Sequence, residues 1–298
     1  MASKDGKKQN PSQLFNFAKD SYLERTSRPF YALVFLLPFI IFYELGTIFI
    51  NTDLLNQSQI RVVAFVWLQT FLQYLGFADK ITWAAPAIAV VIILLALQIV
   101  SRKQWYFSFP DILPMALECI ALAIPLIVLS VFLNNPAQSQ TDIAAYKNTQ
   151  TKIISCSVQT TDDTLTDSIV YDEPTQTHNL WANITTSIGA GIYEELIFRL
   201  ILICLLMILF QDILRLNRKN AVIFSVILSA AMFSAHHHID FFSGQTIEHF
   251  SATAFAFRTI AGIYFAALFA FRGFAITAGT HAFYDIIVVF INAFFINP

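Results

Sequence analysis

The sequence predicts an all-α fold: a polytopic transmembrane helical bundle of about seven spans. Three observations carry this reading. Of 298 residues, 56% are hydrophobic and only 13% are charged, whereas soluble domains carry about 25% charged residues. Mean hydropathy is +0.61. The apolar residues also fall in runs of about 20, the length a helix needs to cross a hydrocarbon core. A formal net charge of −2 offers nucleic acid no attraction, so the implied surroundings are a lipid bilayer. Cys119, Cys156 and Cys204 form no disulfide framework.

Each segment follows from its composition. Residues 1–28 are polar for too long to be a signal peptide, and are expected to form a cytoplasmic N-terminal segment, with targeting carried by the first span. Residues 29–133 hold the N-terminal transmembrane helices, at Pro29–Ile50, Ile81–Val100 and Ile112–Leu133. Between the first two, Arg61–Phe77 is apolar, but Gln69, Gln73 and Lys80 follow one helical stripe. That pattern fits a helix lying at the interface; if it crossed, the spans would number eight.

Residues 134–179 are polar and acidic, an extramembrane loop without a core of its own. Residues 180–298 form a C-terminal transmembrane core with spans at Leu180–Phe210, Ala221–Ile239, Ala254–Phe271 and Ala275–Ile296. With the N-terminus inside, inner segments hold twelve Lys and Arg and outer segments five. This orients a multi-pass protein of the cell (inner) membrane with its C-terminus outside. No internal repeat is present, so the inverted-repeat signature of many secondary transporters is missing.

The chemistry lies in the C-terminal core. Glu194, Glu195 and Arg199 sit within one apolar run, where each charge costs about 2.5–3.5 kcal/mol on insertion scales. Such a cluster persists when its members satisfy one another and act. On an α-helix Glu195 and Arg199, four apart, share a face and can pair. Glu194 points about 100° away, without a local partner, and is a candidate general base.

Next comes FSAHHHID, with His236, His237 and His238 ending an apolar run. Helical spacing allows one of the three to enter a given site, and His237 lies four residues after Phe233. In the last run, His281 and Asp285 are four apart, one turn along the same face. A carboxylate beside an imidazole fixes its orientation and tautomer. Gly273, Ala275, Ala278 and Gly279 nearby are small, as where helices approach closely. Glu44 and Glu118, in the first half, read as helix–helix hydrogen-bonding groups. Counted at 1.5 Å per residue, Glu194 and His237 fall about 25 Å from the inner boundary and His281 about 13 Å. Tilt or misplaced boundaries must reconcile these depths.

EELIFR matches an EExxxR pattern, Phe233…His237 an FxxxH pattern, and His281…Asp285 an HxxxN-or-D pattern. In this order they resemble the CPBP family of intramembrane proteases, the CAAX protease and bacteriocin-processing or ABI family, over about residues 180–291. The resemblance implies an enzyme that hydrolyses peptide bonds within or beside the bilayer, acting on a peptide or membrane-protein substrate, prenylated in some members. Carried over, the resemblance implies that Glu194 activates water, His237 shares its proton or positions the water, Glu195 and Arg199 hold the helix and tune Glu194, and His281 with Asp285 faces the oxyanion. Asp285 stands where many members have Asn, and an ionised carboxylate cannot donate to an oxyanion.

No cofactor is required by this set. A divalent metal such as zinc is the alternative, held by Glu194, His237, His281 and Asp285, although the HExxH spacing of common zinc proteases is absent. Two other readings compete: a non-catalytic immunity or scaffold membrane protein, and a proton-coupled transporter.

Overall fold

The computed structural model describes residues 17–18, 20–53, 62–76, 84–133, 176–241, 244, 246 and 249–296. The expected polar loop up to residue 175, Cys156, Arg61, Lys80 and most of the N-terminal segment lie outside the described residues. Within them the chain is helical, with a single isolated bridge between Ile239 and Thr246. The elements are α1 (Tyr22–Thr26), α2 (Pro29–Asp53), α3 (Val63–Tyr74), α4 (Ala85–Ser101), α5 (Ile112–Leu133), α6 (Gln176–Glu195), α7 (Ile203–Met207), α8 (Arg218–Ala235), α9 (Ala252–Arg272) and α10 (Phe274–Ile291). A wider π-helical stretch at Leu196–Leu202 joins α6 to α7, and a second at Ile208–Ile213 extends the same long rod.

Among the described residues, six helices are long and apolar enough to cross a membrane, making this an integral multi-pass membrane protein. The seventh expected span is α4. It has 17 residues, at the lower end of the crossing range, because its apolar run begins before the described helix. The 12 residues of α3 rise about 18 Å, too little to cross, which removes the eight-span alternative for the helix as described. Instead α3 packs on α4 and α6, burying Phe65, Leu68 and Leu72 in the main core and Trp67 against Phe198 and Phe233. On α5 the exposed Leu113, Leu117, Ile120, Ile124, Val128 and Val131 form a helical ridge. Such an apolar exterior suits lipid rather than water.

At the centre stands α10. Nine consecutive residues, Phe274–Ala282, are buried, so this half of the helix is covered all round, as in the middle of a bundle. It packs on α6, α5, α9 and α2. Close approach requires small residues. A Cβ on Gly191 of α6 would lie 2.6 Å from the backbone nitrogen of Ala282 and 2.7 Å from the carbonyl oxygen of Ala278.

One end of the bundle is tied by charge. Arg272 meets the Glu118 carboxylate at 2.5 and 2.7 Å and donates to the Leu23 carbonyl and Thr26 hydroxyl. The Tyr22 hydroxyl also donates to Glu118, at 2.8 Å. Glu118 therefore does bridge helices, through a cation 154 positions away. Gly273 follows with φ of +77° and an extended ψ, a conformation open to glycine, and lets α10 start at once. Arg25 and the Tyr31 hydroxyl donate to Asp111, ahead of α5. Burial alone would raise the Glu24 carboxyl, but its bonds and proximity to Arg28 and Lys103 hold it below its ordinary value.

Candidate active site

Glu194 and Glu195 end α6 as adjacent, buried residues. Glu195 is fully buried and works in two directions. Its Oε2 lies 3.1 Å from Arg199 Nε, an ion pair by distance although the N–H is not aimed at it. Its Oε1 accepts from His281 Nδ1 at 2.8 Å. Arg199, in the π-helical turn and also fully buried, donates to the Gly262 carbonyl at 3.4 Å. Its guanidinium lies 4.2 Å from the Phe233 ring centre and 5.6 Å from that of Phe265. One carboxylate and two aromatic faces thus compensate a cation shut off from water. The expected Glu195–Arg199 pair is present; the grip of Glu195 on His281 has no counterpart in the sequence reading.

Glu194 faces histidines from two other helices. Its Oε1 is 3.5 Å from His236 Nε2 and its Oε2 is 4.0 Å from His281 Nε2. Here one expectation is corrected: His237 is not alone, since ligand atoms of Glu194, His236 and His237 lie within 4.8 Å of one another. The reason is where α8 stops. It ends at Ala235, and His238 N–H closes back on the Ala235 carbonyl in a tight turn, so regular 100° spacing no longer separates the rings. Nδ1 of His236 and Nδ1 of His237 both bond the Phe233 carbonyl, the latter at 3.0 Å. If each Nδ1 carries its proton, Nε2 is left as an acceptor. His238 packs on Phe250 and Phe255 instead. His236 was missed because the triplet hides the register; Met232 precedes it by four, just as Phe233 precedes His237.

His281 is held on three sides. Glu195 takes Nδ1, the Phe265 ring stacks on it at 4.6 Å, and Asp285 Oδ2 lies 3.5 Å from Nε2. Asp285 is therefore on the same side of the ring as Glu194, and the ring is oriented by Glu195. Glu44, the other first-half acid, accepts from the Tyr193 hydroxyl at 3.1 Å, as expected of a helix-bridging group.

Two cavities meet here. The more enclosed, of about 310 Å³, is lined by Glu194, Phe233, His237, Arg258, Phe265, His281, Tyr284 and Asp285 among others. A more open one, of about 360 Å³, is lined by Val62, Val63, Asn183, Thr186, Ser187, Ala190, Glu194, Asp285 and Val289. Ala190, Glu194 and Asp285 border both. Glu194, His237 and His281 therefore line one cavity together. For Glu194 the depth conflict eases. The rod from Leu180 to Ile213 has 34 residues, about 50 Å against a core of about 30 Å. It must tilt or overhang, so counting inward from its end overstates the depth of Glu194.

For a metal, the converging trio differs from the expected set: His236 replaces His281 and Asp285. The donors suit zinc, two imidazoles each anchored at Nδ1 by a carbonyl, plus a carboxylate. Tetrahedral zinc wants its ligand atoms roughly 3.4 Å apart, so the trio, spread over up to 4.8 Å, would have to close in.

Residues 176–287 match the family described as Rce1-like, type II CAAX prenyl endopeptidase Rce1-like. The matched segment contains all the residues of this site except Val62, Val63 and Val289. No curated protein and no solved structure matches the chain. The family match supports an intramembrane endopeptidase.

Proposed function

We propose, on the premise that residues 176–287 belong to the Rce1-like type II CAAX prenyl endopeptidase family, that Glu194 is the general base of a peptide-bond hydrolysis. The observation that carries this reading is the buried Glu194 carboxylate, flanked by imidazoles at 3.5 and 4.0 Å on a cavity wall. These spacings exceed direct hydrogen bonds, and suit groups that share one water or tighten on substrate. Glu194 takes a proton from that water; His236, with His237 beside it, receives the proton and returns it to the leaving amine. His281 turns Nε2 to the cavity because Glu195 occupies Nδ1. With Nδ1–H committed, Nε2 donates to an oxyanion only in the imidazolium form. Glu195, Arg199 and Asp285 position these groups and balance their charge.

The catalytic core is then residues 180–298, with residues 29–133 as scaffold, the N-terminus cytoplasmic, and a substrate that is a peptide or membrane protein, prenylated or not. Replacing Glu194 with Gln in protein reconstituted into liposomes is expected to lower peptide cleavage by at least 10³-fold with the fold retained. Undiminished cleavage removes Glu194 as the base. A metal-assisted variant is favoured by one observation, the convergence of Glu194, His236 and His237. In that case the bound ion would supply the activation of water. Elemental analysis of the purified protein and cleavage in the presence of chelator decide between the two.

A further inference from the structure

We propose that Trp67 is a positioning residue of the hydrolytic site: it clamps Asp240 and the His236 ring, and so fixes His236 against Glu194. The proposal rests on the roles given to Glu194 and His236 above and extends the site to α3, a helix from the first half of the chain. Trp67 reaches one short stretch of chain at three points. Its Nε1–H donates to Asp240 Oδ1 at 2.9 Å, across 173 sequence positions. Its ring meets the His236 ring edge-on, with centres 5.7 Å apart and planes at 66°, and meets the Phe241 ring at 5.4 Å. Trp67 is buried, and a buried indole N–H is costly to leave without an acceptor.

The stretch it holds is the turn that ends α8. The N–H groups of His238 and Ile239 both close on the Ala235 carbonyl, and that of Gly244 closes on the Asp240 carbonyl. The turn is thus fixed at Ala235 by its own helix and at Asp240 by α3, with the three histidines between. His236 is boxed by aromatic rings: Phe198 at 4.8 Å, Phe233 at 5.5 Å, and Trp67. Its Nδ1 bonds the Phe233 carbonyl and its Nε2 lies 3.5 Å from Glu194. The Nδ1 bond fixes one edge of the imidazole, and packing must fix the rest. Bulk alone does not explain the choice of side chain. Beside Phe198 and Phe233, a phenyl group would fill space as well, whereas the indole N–H adds a directed bond to the turn. Among the described residues, those lining the two cavities include neither Trp67 nor Asp240. Their effect on the reaction therefore passes through His236 and not through contact with substrate.

The test removes the bond from either side in full-length protein reconstituted into liposomes, with one internally quenched prenylated peptide as substrate. W67F takes away the donor and keeps a ring, D240A takes away the acceptor, and D240N keeps an acceptor oxygen. In W67F and in D240A kcat is expected to fall about 10–100-fold with KM within about twofold of wild type. D240N is expected to stay near the wild-type rate. If both residues act through one bond, W67F/D240A is no slower than the slower single variant. Wild-type kcat in both single variants, a loss confined to KM, or fully additive losses in the double variant overturns the proposal. D240N as slow as D240A overturns it as well, because charge and not the bond is then what matters. A second readout needs no turnover. In ¹⁵N-histidine-labelled protein the His236 ring signals, identified by their absence in H236Q, are expected to move in D240A and to stay in place in D240N. Signals that move so in protein whose wild type cleaves nothing uphold the clamp and sink only the hydrolytic reading. Signals and kcat that both stay put in D240A, beside active wild type, sink the clamp alone.

Discussion

At the residue scale, Glu195 is the hinge of the chemistry. It touches Arg199 with one oxygen and His281 with the other, and so connects a structural cation to an imidazole on the cavity wall. Glu195→Gln keeps an oxygen for His281 but removes the charge that balances Arg199. Loss of such an orienting partner typically costs 10–100-fold. Cleavage should therefore fall by about that factor in kcat, with KM little changed, while circular dichroism stays that of the wild type. Glu194, Glu195, Arg199, His281 and Asp285 were all legible in the sequence, because charges in apolar runs announce themselves and four-residue spacing gives their faces. His236 was not. Its approach to Glu194 depends on α8 ending at Ala235, and adjacent histidines carry no signal of where a helix terminates.

At the element scale, the site exists because α6 and α10 touch backbone to backbone. Gly191 lies one turn from Glu194 and Glu195 and meets Ala278 and Ala282, which flank His281. Gly191→Ala would set a methyl group against backbone atoms that cannot swing aside. Overpacking of this kind costs about 1–3 kcal/mol, expected as a lower midpoint of thermal unfolding in detergent. Because the same shift parts Glu194 from His281, activity should drop even at temperatures where the variant stays folded. The sequence pointed to the small residues of α10 as close-approach positions, and the structure adds their partner. It could not reveal the π-helical turns around Arg199, since apolar periodicity blurs between such similar helices.

At the scale of the whole molecule, the halves of the chain meet through Glu118 and Arg272. Neither residue has a partner in its own helical register, so sequence spacing says nothing of their meeting. Glu118→Ala strands a guanidinium that is 7% exposed; since the Glu118 side chain keeps 22% of its own exposure, the expected loss is about 2–3 kcal/mol. Adding Arg272→Met should recover most of it, and a double-mutant cycle by thermal unfolding checks the coupling. The span pattern was likewise readable from apolar run lengths, apart from α4, which falls at the margin of that criterion.

The brevity of α3 has its own consequence for how molecules arrive. Its first residue, Val63, with Val62 before it, edges the more open cavity beside Val289 of α10, and a helix of 12 residues spans only part of a bilayer's depth. Sideways entry from the acyl chains is then the route to test against entry from the aqueous phase. A fluorophore attached to a cysteine introduced at Val289 is expected to be quenched by lipid-borne quenchers more strongly than by water-borne ones.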